Sequence, residues 1–355
     1  MPFLILLLPS SLCNKNFLRI FAIRKFFQMR IAINGMGRIG RLLFRRLIDF
    51  PEFEIVAVND PMPIKNLAYL LKYDSIYGTN FHTMSSSGNS LKVDNIEIPA
   101  YQQSDPMALP WRDLNVDVVL ECSGQFIKKE SAEKHLTSGA KKVLLSTTGA
   151  EDIPLHVFGF NQNSLSEDAT ILSPGGCMTN CSVHILSILN SLGIQSVHLN
   201  IIHSFTSRQS LVDSSNPQFR RGRAAAESII PVAIDLDKSL NRLFPDLKNK
   251  INVFSTRVPV ANGAMASFTL QLMKDVSPIE INKMFKSAAL GEHKMVLDFT
   301  DEPLVSLDIK GNSHSCIIDG TQTAVIGNHA RVAAWFDNEY GFTSRLIDWL
   351  HYWNK

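Results

Sequence analysis

Cysteine is scarce in this chain. Its five thiols, at Cys13, Cys122, Cys177, Cys181 and Cys316, are few for 355 residues and odd in number. That argues against a disulfide framework and for a reducing, cytoplasmic setting. An excess of charge of one sign is lacking too. Thirty-five Lys and Arg face 33 Asp and Glu, for a net charge of +2. Such a balance gives no field that would gather nucleic acid, and no nucleic-acid partner is expected. Long apolar runs are also missing, so no membrane span is expected; one needs roughly 20 such residues. The apolar start, MPFLILLLPSSLC, has no basic residue before it and no small-residue cleavage site, and Leu12 before Cys13 makes a poor lipoprotein site. Residues 1–28 therefore read as a misassigned start or a disordered extension, with Met29 as the working start. No internal repeat, linker or low-complexity stretch interrupts the rest.

What is present is a strand–helix alternation. RIAIN at 30–34, EIVAVND at 54–60, DVVLECSG at 117–124 and KVLLSTTG at 142–149 read as buried strands. Residues 38–50 and 128–140 have helical character, the second stopped by Gly139. Such alternation predicts a parallel sheet with helical crossovers. After residue 176 the texture changes. Long strands are predicted at 197–207, 251–260, 264–273, 295–299 and 330–336, and helices become fewer, as in a mixed or antiparallel sheet. The expected fold is α/β: a Rossmann dinucleotide-binding domain over 29–175 and an α+β catalytic domain over 176–340. Helix 341–355, with Leu346, Trp349, Leu350 and Trp353 on one side, is expected to return to the first domain.

The stretch NGMGRIGR places Gly35, Gly37 and Gly40 in a G-x-G-x-x-G pattern. It follows a strand, opens a helix, and Asp60 ends the next strand twenty residues after Gly40. Those three contexts turn a weak pattern into a dinucleotide fingerprint. The glycines allow a tight turn and close approach to a pyrophosphate at the helix N-terminus, with Arg38 and Ile39 beside it. Asp60 would accept from ribose hydroxyls and repel a 2′-phosphate, which selects NAD over NADP.

PGGCMTNCSVHILSILNSLG at 174–193 puts two thiols four residues apart at the mouth of an apolar helix. A catalytic thiolate, a metal or disulfide pair, and packing all compete. A metal would want further ligands at tight spacing, and only His184 is near, so no metal is expected. A thiolate at Cys177 would gain from the helix N-terminus, which lowers a thiol pKa. It needs a base, and His203, in a strand ending HSFTSRQ, is the candidate.

INGMGRIGR, VAVND, GAKKV, GCMTNC, the histidine strand, RAAAESIIP, RVPVAN and WFDNEYGF occur in this order from Met29 to the C-terminus. The chain thereby resembles the glyceraldehyde-3-phosphate dehydrogenase family. EPLVSLDI, HSCIIDGTQTAV and NEYGF, with Phe342 for a usual tyrosine, look most similar to its D-erythrose-4-phosphate dehydrogenase branch. The resemblance implies an NAD-dependent oxidation of a sugar-phosphate aldehyde. Cys177 would attack the aldehyde and His203 would take the proton, and a thioester would follow. Asn338 would hold the nicotinamide carboxamide, with Ser123, Gly124 and Ser146 flanking the cofactor. Thr206 and Arg257 would hold the substrate phosphate, assisted by Arg221 or Arg223, since arginine suits phosphate. Thr179, Asn180 and Cys181 would support the loop. A homotetramer is implied, with 214–227 near a neighbour's cofactor.

The chain also departs from that family. Gly176 and Met178 stand where the glycolytic enzyme has hydroxyls beside its nucleophile, Ile234 replaces a threonine and Asp235 a glycine. Those positions bind the inorganic phosphate that cleaves the thioester. Each lost hydrogen bond to an anion costs roughly 1.5–3 kcal/mol, so water is expected to take the acyl group. The expected reaction is D-erythrose 4-phosphate to 4-phosphoerythronate, a step toward pyridoxine. The alternatives are a phosphorylating glyceraldehyde-3-phosphate dehydrogenase and an NAD-binding paralogue with impaired catalysis. Arg208 stands where an acidic residue is common and is expected to reshape the phosphate site.

Overall fold

A computed structural model describes residues 28–354. The reading of the leading extension falls, Gln28 apart, outside the described residues. The first sheet begins with β1 (Met29–Asn34), which leads through the glycine turn into α1 (Arg38–Leu47) and β2 (Phe53–Asn59). β1 is almost wholly buried, as a central parallel strand between helical layers must be. α1 ends three residues short of the expected Phe50, because the residue before Pro51 is pushed out of helical geometry.

The chain continues through α2 (Ile64–Lys72), a small ribbon of β3 (Tyr73–Asp74) and β4 (Gly78–Thr79), and a meander of β5 (Met84–Ser87), β6 (Ser90–Val93) and β7 (Ile96–Tyr101). It returns by β8 (Val118–Glu121), α3 (Lys129–Thr137), β9 (Lys142–Leu145) and β10 (Ile171–Leu172). The strand order is β10-β9-β8-β1-β2-β7-β6-β5. β1, β2, β8, β9 and β10 run parallel and the meander is antiparallel. The order reverses between β8 and β1, and such a switch point opens a crevice at the carboxyl ends of the strands. β8 and β9 stop at Glu121 and Leu145, shorter than expected. Their small polar residues belong to the loops over that crevice.

The second sheet follows α4 (Cys177–Leu189). Its strands are β11 (Ile194–Ser204), β12 (Ile230–Val232), β13 (Ile251–Val258), β14 (Ala264–Leu272), β15 (Leu297–Thr300), β16 (Cys316–Ile326) and β17 (His329–Phe336), in the order β12-β13-β11-β14-β17-β16-β15. Parallel β11–β13 and β15–β16 pairs beside antiparallel neighbours make it mixed. β11 alternates apolar buried and polar exposed residues, the pattern of a strand with one packed face. α4, α5 (Leu236–Leu243) and α6 (Pro278–Leu290) contribute Ile185, Leu189, Leu240, Ile281 and Phe285 to the core beneath it.

β17 hands the chain to α7 (Tyr340–Trp353). Phe342, Leu346, Ile347, Trp349 and Leu350 of α7 join one core with Ile31, Leu43, Phe44 and Leu47. The terminal helix thus covers the first sheet, as its apolar spacing predicts. Among the described residues no helix is long and apolar enough to cross a membrane.

Candidate active site

Gly176 caps α4 in extended geometry without a side-chain cap, so the first helical residue is Cys177. A β-carbon built on Gly176 meets nothing within 4 Å. Asn180 braces this entry by donating to the carbonyls of Pro174 and Gly176, each at 2.9 Å. At the end of β11, His203 lies in register with Arg257 of β13. The sulfur of Cys177 and Nε2 of His203 are 3.8 Å apart. Nδ1 of His203 lies 2.7 Å from the carbonyl of Ser204. A carbonyl only accepts, so Nδ1 carries the proton and Nε2 offers its lone pair to the thiol.

The electrostatics differ from the sequence expectation of a thiol lowered by the helix terminus. Burial pushes Cys177 up to about 11, against opposing help from the Arg257 charge and the backbone N–H groups of Met178 and Cys177. Burial, then Arg257, brings His203 down to about 3. The two groups rest as thiol and neutral imidazole. Desolvation outweighs the helix end because it penalises both charged forms. Burial also lowers Arg257 to about 10, with Cys177 drawing it upward and Arg221 and Arg208 pushing it down.

At the other end of the cleft, Gly35 has φ +93°, and a β-carbon there would stand 2.4 Å from the Ser123 nitrogen. Only glycine fits that turn. Gly40 presses α1 onto the turn, its built β-carbon 2.0 Å from the Gly35 carbonyl oxygen. Gly37, by contrast, faces open space. That is the cradle a pyrophosphate needs, beside the unpaired first N–H groups of α1 at Arg38 and Ile39. The side chain of Arg38 does not turn to the cradle. It bridges Asp74 at 2.5 Å and Glu339 at 2.5 Å, so only its backbone faces the anion. Asp60 accepts from the N–H groups of Met36 at 2.7 Å and Met62 at 2.9 Å. Each oxygen keeps a lone pair for a ribose hydroxyl. The donor set fits NAD.

Ser123, Gly124 and Ser146 lie on the loops after β8 and β9. Ser123 donates through both its N–H and its hydroxyl to Glu121, and the Ser146 N–H bonds the Glu121 carbonyl at 2.9 Å. Glu121 is the hub. It also accepts from Asn34 at 2.5 Å and pairs with His135 at 2.9 Å. His135 in turn accepts from Trp111 at 3.0 Å. The sequence reading gives Glu121 and His135 no role; a carboxylate inside an apolar strand was the available signal. On the facing side, Oδ1 of Asn338 accepts from the Ser204 hydroxyl at 3.1 Å and the Gly263 N–H at 3.0 Å. Its amide nitrogen is left as a fixed donor.

The expected phosphate residues separate. Thr206 donates its N–H and its hydroxyl to Oε1 of Gln209. That orientation leaves Nε2 of Gln209 buried with no acceptor. Nε of Arg257 and Nη1 of Arg221 are likewise buried without acceptors. Arg208 and Arg221 both lie close enough to Arg257 to depress it. Arg223 does not join them: its guanidinium pairs with Asp213 at 2.9 Å on the surface. The carboxylate expected from Asp235 is not delivered to the thiol either, because it turns outward to Lys238 at 2.7 Å. Met178 and Ile234 pack on the apolar cluster beside Cys177. Cys181 is fully buried one turn below, and among the described residues all four cysteines are free thiols.

The family models described as the NAD binding domain and the C-terminal domain of glyceraldehyde 3-phosphate dehydrogenase match residues 29–129 and 176–338. Among curated proteins, the chain is 40% identical over 326 residues to glyceraldehyde-3-phosphate dehydrogenase 1 of Bacillus cereus, covering 91% of this chain and 98% of the relative. It is 40% identical over 328 residues to glyceraldehyde-3-phosphate dehydrogenase of Geobacillus stearothermophilus, with 91% and 98% covered. The corresponding protein of Zymomonas mobilis subsp. mobilis is 39% identical over 326 residues, with 90% and 97% covered.

Proposed function

From a chain that belongs to the glyceraldehyde-3-phosphate dehydrogenase family, we infer an NAD-dependent oxidation of a phosphorylated sugar aldehyde through a thioester on Cys177, released by water. The observation that carries this reading is the 3.8 Å approach of the Cys177 sulfur to the lone pair of His203. As sulfur adds to the aldehyde carbon, the thiol proton passes to Nε2, and the Nδ1–H bond to Ser204 holds the ring in that tautomer. Bound NAD supplies the acceptor for the hydride that leaves the resulting hemithioacetal carbon. Once the thioester has formed, Nε2 of His203 releases its proton to solvent; water then adds to the thioester carbonyl and gives a proton to the freed Nε2, which passes it to the departing Cys177 sulfur as the acid leaves.

Gly35, Gly37, Gly40 and the N–H groups of Arg38 and Ile39 hold the pyrophosphate in this reading, and Asp60 takes the ribose. Ser123, Gly124 and Ser146 flank the cofactor, and the Asn338 amide positions its carboxamide. Thr206 and Arg257 take the substrate phosphate, assisted by Arg221. Residues 29–175 with α7 serve the cofactor, and 176–340 carry the chemistry.

Release by water is supported by the residues that replace the family's anion donors. Gly176 offers open space, while Met178 and Ile234 pack on the apolar core of the second domain. Losing several anion donors at roughly 1.5–3 kcal/mol each would slow phosphate attack by orders of magnitude. D-Erythrose 4-phosphate, giving 4-phosphoerythronate, is the substrate this reading puts first. The names of the curated relatives favour a second reading, phosphorylation of glyceraldehyde 3-phosphate. NADH absorbance with each aldehyde, with and without inorganic phosphate, separates the two. Phosphate-independent turnover favouring the four-carbon aldehyde supports the first, and strict phosphate dependence with the three-carbon aldehyde supports the second.

A cytoplasmic homotetramer completes the proposal. Leu211, Val212, Phe219 and Ile229 are each at least 67% exposed on the loop after β11, apolar side chains of the kind a partner copy would cover. Light scattering after size exclusion tests it, and a monomeric mass at working concentration would refute it.

A further inference from the structure

Both chain neighbours of Asn338 are held by the first domain. On one side, Glu339 takes a two-pronged bond from Arg38, with Nε 2.8 Å from Oε1 and Nη2 2.5 Å from Oε2. The same guanidinium grips Asp74, at the end of β3, at 2.5 Å. On the other side, Asp337 accepts from the Tyr77 hydroxyl at 2.9 Å. Tyr77 lies in the turn between β3 and β4, and Asp74 fastens that turn by accepting from the N–H groups of Ile76 and Tyr77. Arg38 and Tyr77 thus reach the segment 337–339 from one shared anchor.

That segment is stiff. Asp337 is 1% exposed and also accepts from the N–H groups of Gly311, Glu339 and Tyr340 and from the Asn262 amide. Between the two carboxylates, Oδ1 of Asn338 is fixed by Ser204 and Gly263. Arg38 has a second task through its backbone, since with Ile39 it opens α1 beside the glycine cradle. One residue therefore meets the cradle with its N–H and holds the neighbour of Asn338 with its side chain.

In the reading given above, a dinucleotide is gripped at both places, and its reactive ring lies where the two grips together put it. We propose that Arg38 and Tyr77 are positioning residues for hydride transfer: they set the spacing between the cradle and the Asn338 amide, and so the placement of the nicotinamide relative to Cys177. Neither touches the reacting atoms. The inference rests on the roles proposed for Asn338 and Cys177 and adds to them what aligns the two domains. NAD affinity should depend little on these two side chains, because the cradle glycines and Asp60 have supports of their own. Rate should depend on them strongly, since a misplacement of about 1 Å in a reacting geometry costs on the order of a hundredfold.

The full chain is compared with Arg38→Met, Arg38→Lys and Tyr77→Phe. Arg46 still ties α1 to α7 through the Tyr340 carbonyl at 3.0 Å, and Asp337 keeps its other donors in Tyr77→Phe, so that variant carries the test should Arg38→Met fail to fold. The first readout needs no aldehyde. Alkylation of Cys177 by iodoacetamide is followed with saturating NAD and with saturating ADP-ribose, which has the pyrophosphate but no nicotinamide. The two rates should differ severalfold in the natural chain. In Arg38→Met and Tyr77→Phe, NAD should bind within about threefold of its natural affinity, yet the difference between the rates should shrink; Arg38→Lys should restore part of it. Turnover gives the second readout. The kcat should fall about a hundredfold in Arg38→Met and about tenfold in Tyr77→Phe, the scale of one hydrogen bond to a charged group, with KM for NAD nearly kept. Acylation of Cys177 by a chromogenic ester, which needs no cofactor, should stay at the natural rate. A rate difference kept in full by both variants overturns the proposal, as do equal rates with NAD and ADP-ribose in the natural chain. If the natural chain oxidises neither aldehyde while the alkylation pattern holds, the proposed function fails and the positioning role stands.

Discussion

His135 holds its Nε2 2.9 Å from the Glu121 carboxylate, and the two side chains are 0% and 1% exposed. They sit where the first sheet reverses its strand order, and the same carboxylate ties down the Ser123 turn. Without Glu121, the buried Nε2 of His135 and the amide of Asn34 lose their acceptor, and an unsatisfied buried group costs about 1–3 kcal/mol. Glu121→Ala should therefore lower the unfolding free energy by that scale and weaken NAD binding, since Ser123 loses its anchor. Fluorescence titration of NAD beside urea unfolding reads both. Normal NAD affinity in a folded Glu121→Ala protein would remove the link between this pair and the cofactor loop.

The glycine turn gives a contrast within six residues. Gly40→Ala places a β-carbon 2.0 Å from the Gly35 carbonyl oxygen, an overpacked contact that should cost about 1–3 kcal/mol. Gly37→Ala meets nothing in the protein. It should fold with normal stability yet bind NAD about tenfold more weakly or worse, a loss of some 1.4 kcal/mol. Comparing thermal midpoints with NAD dissociation constants checks the pair. Equal NAD binding by Gly37→Ala would mean that the cofactor does not approach this backbone.

Cys177 tests the electrostatics directly. With the thiol pushed up to about 11, its alkylation rate by iodoacetamide should climb about tenfold per pH unit through neutrality, following the thiolate fraction. Arg257→Gln removes a charge that favours the thiolate, so the thiol rises further and alkylation slows at every pH below its new value. A rate already level at pH 6–7 would show that a thiolate–imidazolium pair exists at rest. Turnover should vanish in Cys177→Ser and persist in Cys181→Ser.

His82 bridges two elements on the surface, with Nδ1 2.6 Å from Asp94 and Nε2 2.9 Å from Asp49. Bonds to Asp94 and then Asp49 raise it above its ordinary 6.5. A raised cation contributes stability that is complete below 6.5 and fades as pH climbs through the folded value. The midpoint difference between the natural protein and His82→Gln should be present in mild acid and vanish in alkali, and high salt should shrink it. A difference that grows with pH would contradict this pairing.

Local pattern made much of this legible. The G-x-G-x-x-G turn, the strand ending at Asp60, the helix opening at Cys177 and the apolar stripe of the last helix each sit within one element. What escaped depends on distance along the chain. Arg38 reads as a cofactor residue, yet its side chain is claimed by Glu339, 301 positions away. Arg223 looks equivalent to Arg221 until Asp213 captures it. The β5–β7 meander, α2 and β16 carried no signal strong enough to single out. Desolvation of Cys177 was invisible too, because it depends on what three dimensions pack around the sulfur.

The terminal helix has a consequence for biosynthesis. Trp349, Leu346 and Leu350 fill a core whose other walls, Ile31, Leu43 and Leu47, leave the ribosome long before them. The half of the molecule made first is finished last. Until Tyr340–Trp353 emerges, the nascent nucleotide-binding half keeps that apolar wall open, while the half that bears the thiol already has its own core residues in hand. The order of synthesis thus separates the dinucleotide cradle from the helix that covers its sheet.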